Sequence, residues 1–179
     1  MADRVDATIQ IGGTVPASRI EDLLDAIQAE RLGPDWEERF CCREDLRRRL
    51  GSAEGPILLY GREVASGEFD DLQALCVEIG LTYVLSYDGY GAEWSPARRI
   101  WRPGSAGDGE TCALSGDGGR ACVTADDLRH HGFADLDALA AYLKGFDDPD
   151  VPGLVLELLV SAPLVRRHDE RRCHRRAGR

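Results

Sequence analysis

Between Pro56 and Pro103 the chain alternates short apolar runs with a single helical repeat, and that succession limits the folds open to it. Ile57-Leu58-Leu59-Tyr60 reads as a strand between a Gly-Pro break and Gly61. Phe69, Leu72, Cys76 and Ile79 recur at helical spacing, and Gly80 stands where a left-handed cap would end the helix. Leu81 is placed to pack back on that cap. Thr82 to Tyr87 alternates as a second strand, and Asp88-Gly89 predicts a two-residue hairpin turn. In that register Tyr87 faces Tyr90, Leu85 faces Ala92 and Tyr83 faces Trp94, so all six share one face. Pro96 cannot donate to a ladder, so the returning strand is an edge or breaks before Ile100-Trp101.

The flanking sequence extends this unit. Asp6 to Ile11 predicts a first strand ending at Gly12-Gly13. Ile20, Leu23, Leu24 and Ile27 form one apolar helix face, with Pro16 in the first turn and Ser18 and Glu21 as a capping box. Arg43 to Leu50 predicts a brief helix closed by Gly51. A second hairpin is expected at Asp117-Gly118, pairing Leu114 with Ala121 and Cys112 with Val123. Thr124 should cap a helix over Ala125 to His131 that stops at Gly132. Phe133, Leu136, Leu139 and Leu143 mark a last helix ending at Gly145, and Leu154 to Val160 a buried strand with Glu157 its one anomaly. The expected fold is α+β: one domain over residues 1–161, with a mixed sheet and a right-handed parallel crossover between the Ile57 and Tyr83 strands. Hairpins extend the sheet and about three helices cover it, in the manner of an elaborated ferredoxin-like sandwich. Residues 162–179 form an Arg-rich, mobile tail.

Charge sets the class of partner. The 179 residues carry a formal net of −10. Residues 162–179 hold seven Arg against Asp169 and Glu170, a net of +5, which leaves −15 on the first 161. A body this acidic repels nucleic acid and favours a protein partner with a basic surface. The N-terminal Met-Ala-Asp-Arg-Val-Asp is no secretory leader, and no apolar run approaches the ~20 residues of a membrane helix. A cytoplasmic protein with six reduced cysteines and no cofactor is expected.

Several constellations carry chemistry in principle. Gly12-Gly13 and the Gly61–Gly67 loop would converge on one sheet edge as an anion site with Arg62 as its cation, the basis for a small enzyme or ligand-binding domain. Acids at both following helix starts, Glu21 and Asp22, then Glu68, Asp70 and Asp71, argue for tight structural turns instead. Asp126 and His130, and Asp127 and His131, stand at i, i+4 spacing, a metal-like pattern that helix-dipole complementarity alone also selects. His168, Cys173 and His174 have nothing around them in sequence to organise them. No nucleophile elbow or P-loop is present, and neither catalytic nor metal residues are assigned. The acids Asp126, Asp127, Asp135, Asp137, Asp147, Asp148 and Asp150, with the aromatic Trp94, are the candidate partner-binding residues.

Ile9-x-Ile11-Gly12-Gly13-x-Val15-Pro16, Gly67-Glu68-Phe69-x-x-Leu72, Cys76-x-x-x-Gly80-Leu81-x-Tyr83, Trp94-x-Pro96 and Arg102-Pro103-Gly104 together resemble a loose group of small acidic bacterial proteins carried on phages and plasmids. The resemblance spans about the first 105 residues and its motifs build the fold rather than a site. It implies an accessory role in a mobile element, where such proteins inhibit host defence or nucleic-acid-handling complexes. The expected function is a non-enzymatic binding protein whose acidic surface imitates DNA. A nucleic-acid binder acting through the Arg-rich tail is the third reading.

Overall fold

The computed structural model describes residues 4–40, 42–91, 93–116 and 119–157. Seven strands and five α-helices follow one another there, an α+β arrangement. The chain begins with β1 (Arg4–Val15), a 3-10 turn at Ala17–Arg19, α1 (Ile20–Ala29), α2 (Arg43–Gly51) and β2 (Ile57–Ala65). It continues through α3 (Asp70–Ile79), β3 (Thr82–Tyr87), β4 (Ala97–Trp101), β5 (Glu110–Leu114) and β6 (Ala121–Cys122). It then adds α4 (Ala125–His131), α5 (Leu136–Asp147) and β7 (Leu154–Leu156).

The sheet order is β2-β1-β3-β4-β5-β6, each neighbour antiparallel, with β7 parallel to the far end of β1. β2 and β3, joined through α3, therefore run parallel in one sheet, with β1 between them. The element order is not the β-α-β-β-α-β succession of a ferredoxin-like unit. β1 does not stop at Gly12-Gly13: Gly12 pairs with Thr82, and Gly13 to Val15 pair with β7. β2 likewise passes through Gly61 to Ala65, with a bulge opposite Val5 to Ala7.

The hairpin register at Asp88-Gly89 is the largest correction. Tyr83 pairs with Trp101, Leu85 with Arg99 and Tyr87 with Ala97, so the returning strand is β4. Tyr90 and Trp94 make a small bridge inside the connection, their rings stacked 5.2 Å apart. The cause is burial: in this register Trp101 and Tyr83 stack beneath α3 while Ile100 and Val84 enter the opposite core. Two cores outweigh the local preference of a two-residue turn. The second hairpin keeps its predicted register, Leu114 opposite Ala121, with its turn outside the described residues.

The main core sits between one sheet face and α1, α2 and α3. Leu23, Leu24 and Ile27 of α1, Leu46 and Leu50 of α2, and Leu72 and Cys76 of α3 are all buried on Ile9, Ile11, Leu59 and Leu85. Each such side chain contributes about 1.5–3 kcal/mol by leaving water. α1 enters through the 3-10 turn with no side-chain cap, so the Ser18–Glu21 capping box is absent. Gly80 does close α3 in the left-handed region at φ 73°, and Leu81 N–H reaches back to Cys76 O at 2.8 Å. Across the sheet, a smaller core gathers Val84, Ile100 and Cys112 under Phe146 of α5. That helix runs to Asp147, past Gly145, and turns Leu139, Tyr142, Leu143 and Phe146 inward. Leu136, the first residue of α5, is 81% exposed, contrary to expectation. Glu157 is exposed as well, so the anomaly in the last apolar run disappears. The remainder of that run, Leu158 to Val160, lies with the Arg-rich segment 162–179 outside the described residues.

Candidate functional site: an acidic groove between two helices

α1 and α3 lie side by side on the sheet and run in opposite directions. Arg19, just before α1, grips Glu78 near the end of α3, while Glu30, just after α1, lies close to Asp70 and Asp71 at the start of α3. Both helices present alanines along the seam: Ala26 and Ala29 from α1, Ala74 from α3. Side chains this short leave an open groove of about 440 Å³. Its walls are Asp22 and Asp25 on one side and Asp71 and Glu78 on the other, and none of its lining residues is basic.

The electrostatics differ along its length. At the near end Arg19 Nε donates to Asp22 at 2.7 Å, and its two terminal nitrogens donate to Glu78 at 2.6 and 3.0 Å. These hydrogen bonds hold the Glu78 carboxyl below its usual range. Midway, Asp25 is bonded by Arg43 of α2 and is likewise lowered. At the far end, partial burial pushes the Glu30 carboxyl up, the charges of Asp71 and Asp70 add to the rise, and the Asp71 backbone N–H opposes it. Asp71 has no ion-pair partner among the described residues. An apolar floor and carboxylate walls, of which Asp71 has no ion-pair partner among the described residues, suit a cationic side chain or peptide segment.

The sequence-predicted acids fall elsewhere and are largely occupied. Asp127 completes a capping box with Thr124, accepting from its N–H at 2.7 Å, as the sequence indicates for the start of α4. Asp126 pairs with Arg129 at 2.5 Å, and Asp135 caps α5 by accepting from Ala138 N–H at 2.8 Å. Asp147 accepts from Ala121 N–H at 2.6 Å, tying α5 to β6. Asp137, Asp148 and Asp150 are exposed. Trp94 is partly buried, stacks on Tyr90 and donates from Nε1 to Asp88 O at 3.3 Å. His131 joins Phe133 and Tyr142 in a cluster of three rings, stacked on the first and tilted to the second, so the paired Asp/His spacing serves packing and capping. Among the described residues no group of three or more His, Cys, Asp or Glu is placed to hold a metal ion. His168, Cys173 and His174 lie outside them.

The Gly12/Gly61 edge does not form. Gly61 pairs with Ala7, five residues along β1 from Gly12, and the segments after the two glycines leave opposite ends of antiparallel strands. Each glycine answers a close approach: a Cβ at Gly12 would collide with Pro152 O, and one at Gly61 would lie 2.7 Å from the Phe69 ring. Arg62 instead lines two adjoining clefts with Arg31 and Arg39, where Glu30, Glu63, Glu68 and Asp70 in one, and Asp35, Glu37 and Glu38 in the other, balance the cations.

A further concavity beside α3 holds the buried Tyr83 and Gln73. Gln73 Oε1 accepts from Phe69 N–H at 2.8 Å and its amide donates to the Tyr83 hydroxyl at 3.3 Å. Arg99 is committed there to Glu68 at 2.8 Å. Burial pushes the Tyr83 hydroxyl up and the Cys76 thiol up to about 12, so these groups stay protonated at neutral pH. They pack and position; none is activated for nucleophilic or acid–base work.

Sequence alone does not announce the groove, because its parts are unremarkable singly. Acids in the first turns of α1 and α3 are what the helix dipole selects anywhere. Ala26, Ala29 and Ala74 are the available signal, three small residues on otherwise amphipathic helices. The chain matches no protein-family model, no curated protein and no solved structure. No helix among the described residues is long and apolar enough to cross a membrane.

Proposed function

We propose that this chain is a non-enzymatic binding module that takes an Arg- or Lys-rich segment of a protein partner into the α1–α3 groove. The carrying observation is the groove itself, an alanine floor between four carboxylates with no basic residue in its lining. The strongly acidic body supports the same class of partner, since its net charge attracts basic protein surfaces and repels nucleic acid. On this reading the acidic contact surface lies on α1 and α3, while Asp126, Asp127, Asp135 and Asp147 of the Asp126–Asp150 stretch make an ion pair, caps and a tie. A natural partner is a nucleic-acid-handling protein of the host cell, whose basic segment would otherwise meet phosphates. On this reading the module is an inhibitor that imitates the charge of DNA, as an accessory of a mobile element would.

The test is titration of the full chain with a short peptide of alternating arginine and alanine. Amide signals of Ala26, Ala29 and Ala74 should shift, and affinity should fall steeply as salt rises through ~0.1 M, where the screening length is about 10 Å. Asp71→Asn with Glu78→Gln should weaken binding about tenfold or more, given roughly 1.4 kcal/mol for each tenfold. Shifts confined to α4 and α5, or affinity indifferent to salt and to both substitutions, would refute the assignment.

A further inference from the structure

We propose that the chain forms a two-fold dimer in which α5 of each copy lies on the open strip of sheet made by β1 and β2 of the other.

The two faces of the sheet are covered unequally. α1, α2 and α3 close one of them, whereas on the other α5 reaches only Val84, Ile100 and Cys112 of β3, β4 and β5. Beside these, on the same face, Thr8 and Gln10 of β1 stand opposite Tyr60 and Leu58 of β2, and none of the four belongs to either core. Leu58 is 41% exposed and the other three are half-buried. Two strands make a strip about 10 Å wide, which is the diameter of a helix.

Apolar exposure gathers on that side of the sheet. Of the six large hydrophobic side chains exposed among the described residues, Trp36, Leu58, Leu128, Leu136 and Val155 lie there, and Val77 of α3 is the exception. Val155 pairs with Thr14 at the end of β1, while its neighbours Leu154 and Leu156 turn into the main core. Trp36 sets its ring edge-to-face against Tyr60, 4.9 Å away, and Leu128 belongs to α4, which meets α5 through His131 and Tyr142. So uneven a distribution marks an interaction surface.

A second copy fits this surface, because each part of it supplies what the other lacks. Tyr142, Leu143 and Phe146 of α5 fill the smaller core, yet Leu136, Ala140, Ala141 and Gly145 on its outer side are exposed. A helix apolar on both sides is normally covered on both. The strip lacks a helix and the outer side of α5 lacks a sheet; a two-fold axis provides both contacts at once, as an isologous interface requires.

Charge selects the same surface. The chain carries a net of −10, so two copies repel wherever acids meet, as they would across the acid-lined α1–α3 seam. The four strip residues are uncharged, and the exposed Asp137 and Lys144 on the outer side of α5 are of opposite sign. The sheet edges offer no alternative. Gly33 is bonded both ways to Tyr60 on β2, and Asp147 accepts from Ala121 N–H on β6, so neither edge presents an unbroken ladder. The α1–α3 groove lies across the sheet and stays open in the dimer.

Sedimentation of the full chain from micromolar to millimolar concentration should show a monomer–dimer equilibrium. It should tighten between about 0.05 M and about 0.5 M salt, because screening relieves the repulsion of two acidic bodies. A cationic peptide at the groove weakens over the same range, so the two sites are told apart. Leu136→Glu and, separately, Leu58→Glu should each weaken the dimer about a hundredfold, since two-fold symmetry counts each substitution twice. Both positions are exposed in the single copy and an acid suits the first turn of α5, so the melting temperature of the dilute protein should hold. In a half-labelled sample, isotope-filtered NOEs should join the methyls of Leu58 and Thr8 to those of Ala140 and Ala141. A monomer at millimolar concentration and the higher salt, a dimer indifferent to both substitutions, or filtered NOEs anywhere but between α5 and the strip overturns the proposal.

Discussion

Arg19 closes a two-point grip on Glu78, its Nη1 and Nη2 lying 2.6 and 3.0 Å from the two carboxylate oxygens, and so joins the start of α1 to the end of α3. The contact is partly exposed, with the Arg19 side chain at 27% and Glu78 at 61%, so its weight in the fold is modest and salt-dependent. Its position matters more. It fixes one end of the groove and holds the two acidic walls at a set separation.

Arg19→Ala should therefore lower the melting temperature slightly, more at low than at high salt. The pH profile gives the sharper readout. Hydrogen bonds from Arg19 hold the Glu78 carboxyl below its usual value, so the folded state binds that proton less readily than the unfolded chain. The resulting stability is present above the ordinary glutamate range near pH ~4.3 and is lost as pH falls through the lowered value. Arg19→Ala should flatten this acid limb. An unaltered limb in the variant would show that the pair is not formed in solution.

A second expectation concerns Gly12. Backbone packing, rather than an unusual dihedral, demands glycine here, since a Cβ would collide with Pro152 O. Gly12→Ala must push the strand-leading segment away, and with it Gly13 N–H to Gly153 O at 3.1 Å and Leu154 N–H to Gly55 O at 3.0 Å. A cost of about 1–3 kcal/mol is expected, in the range of overpacked sites. Denaturant unfolding measures the loss, and hydrogen exchange should place it at Gly13 and Leu154. Wild-type protection at both amides would contradict the packing.

Gly12 also illustrates what can be read before a structure. As part of Gly12-Gly13 it looks like a strand end, because nothing local announces that β7, far along the chain, will pair there. The same holds for Asp88-Gly89: its turn chemistry is strong, but the register belongs to Trp101 and Ile100, which bury on opposite faces. Signals confined to one element were legible. Ile20, Leu23, Leu24 and Ile27 do form the inner face of α1, Gly80 does cap α3, and Thr124 does cap α4. The candidate site failed this condition, since Asp22 and Glu78 face one another across a seam only once α1 and α3 are packed side by side.

The thiols provide a third test. Burial pushes Cys76 up to about 12 and raises Cys112 as well, whereas Cys42 is exposed and Cys122 is partly so. Because the thiolate is the reactive form, alkylation of the native protein near pH ~8 should reach Cys42 and Cys122 well before Cys76 and Cys112. Peptide mapping after partial labelling gives the order. Early modification of Cys76 would mean that α3 opens from the sheet far more readily than its buried contacts allow.

The last prediction uses Glu30 to report on the groove. Partial burial, reinforced by Asp71 and Asp70, pushes its carboxyl above the usual range. A raised acid binds its proton more readily in the folded state than in the unfolded one, so stability falls as pH rises. The penalty is absent below the ordinary value near ~4.3 and complete once pH has passed the raised folded value. Neutral Gln at this position should therefore raise the melting temperature at about pH 7 and remove that part of the slope. An arginine seated against Asp71 acts in the opposite sense to the like charges, and by linkage must draw the Glu30 carboxyl back down. Glu30 should then titrate lower in the presence of the arginine–alanine peptide than in its absence. Carboxyl-detected NMR titration with and without the peptide measures the difference directly. Identical Glu30 titration curves at low salt would place no cation at the far end of the groove, whatever lies along the rest of it.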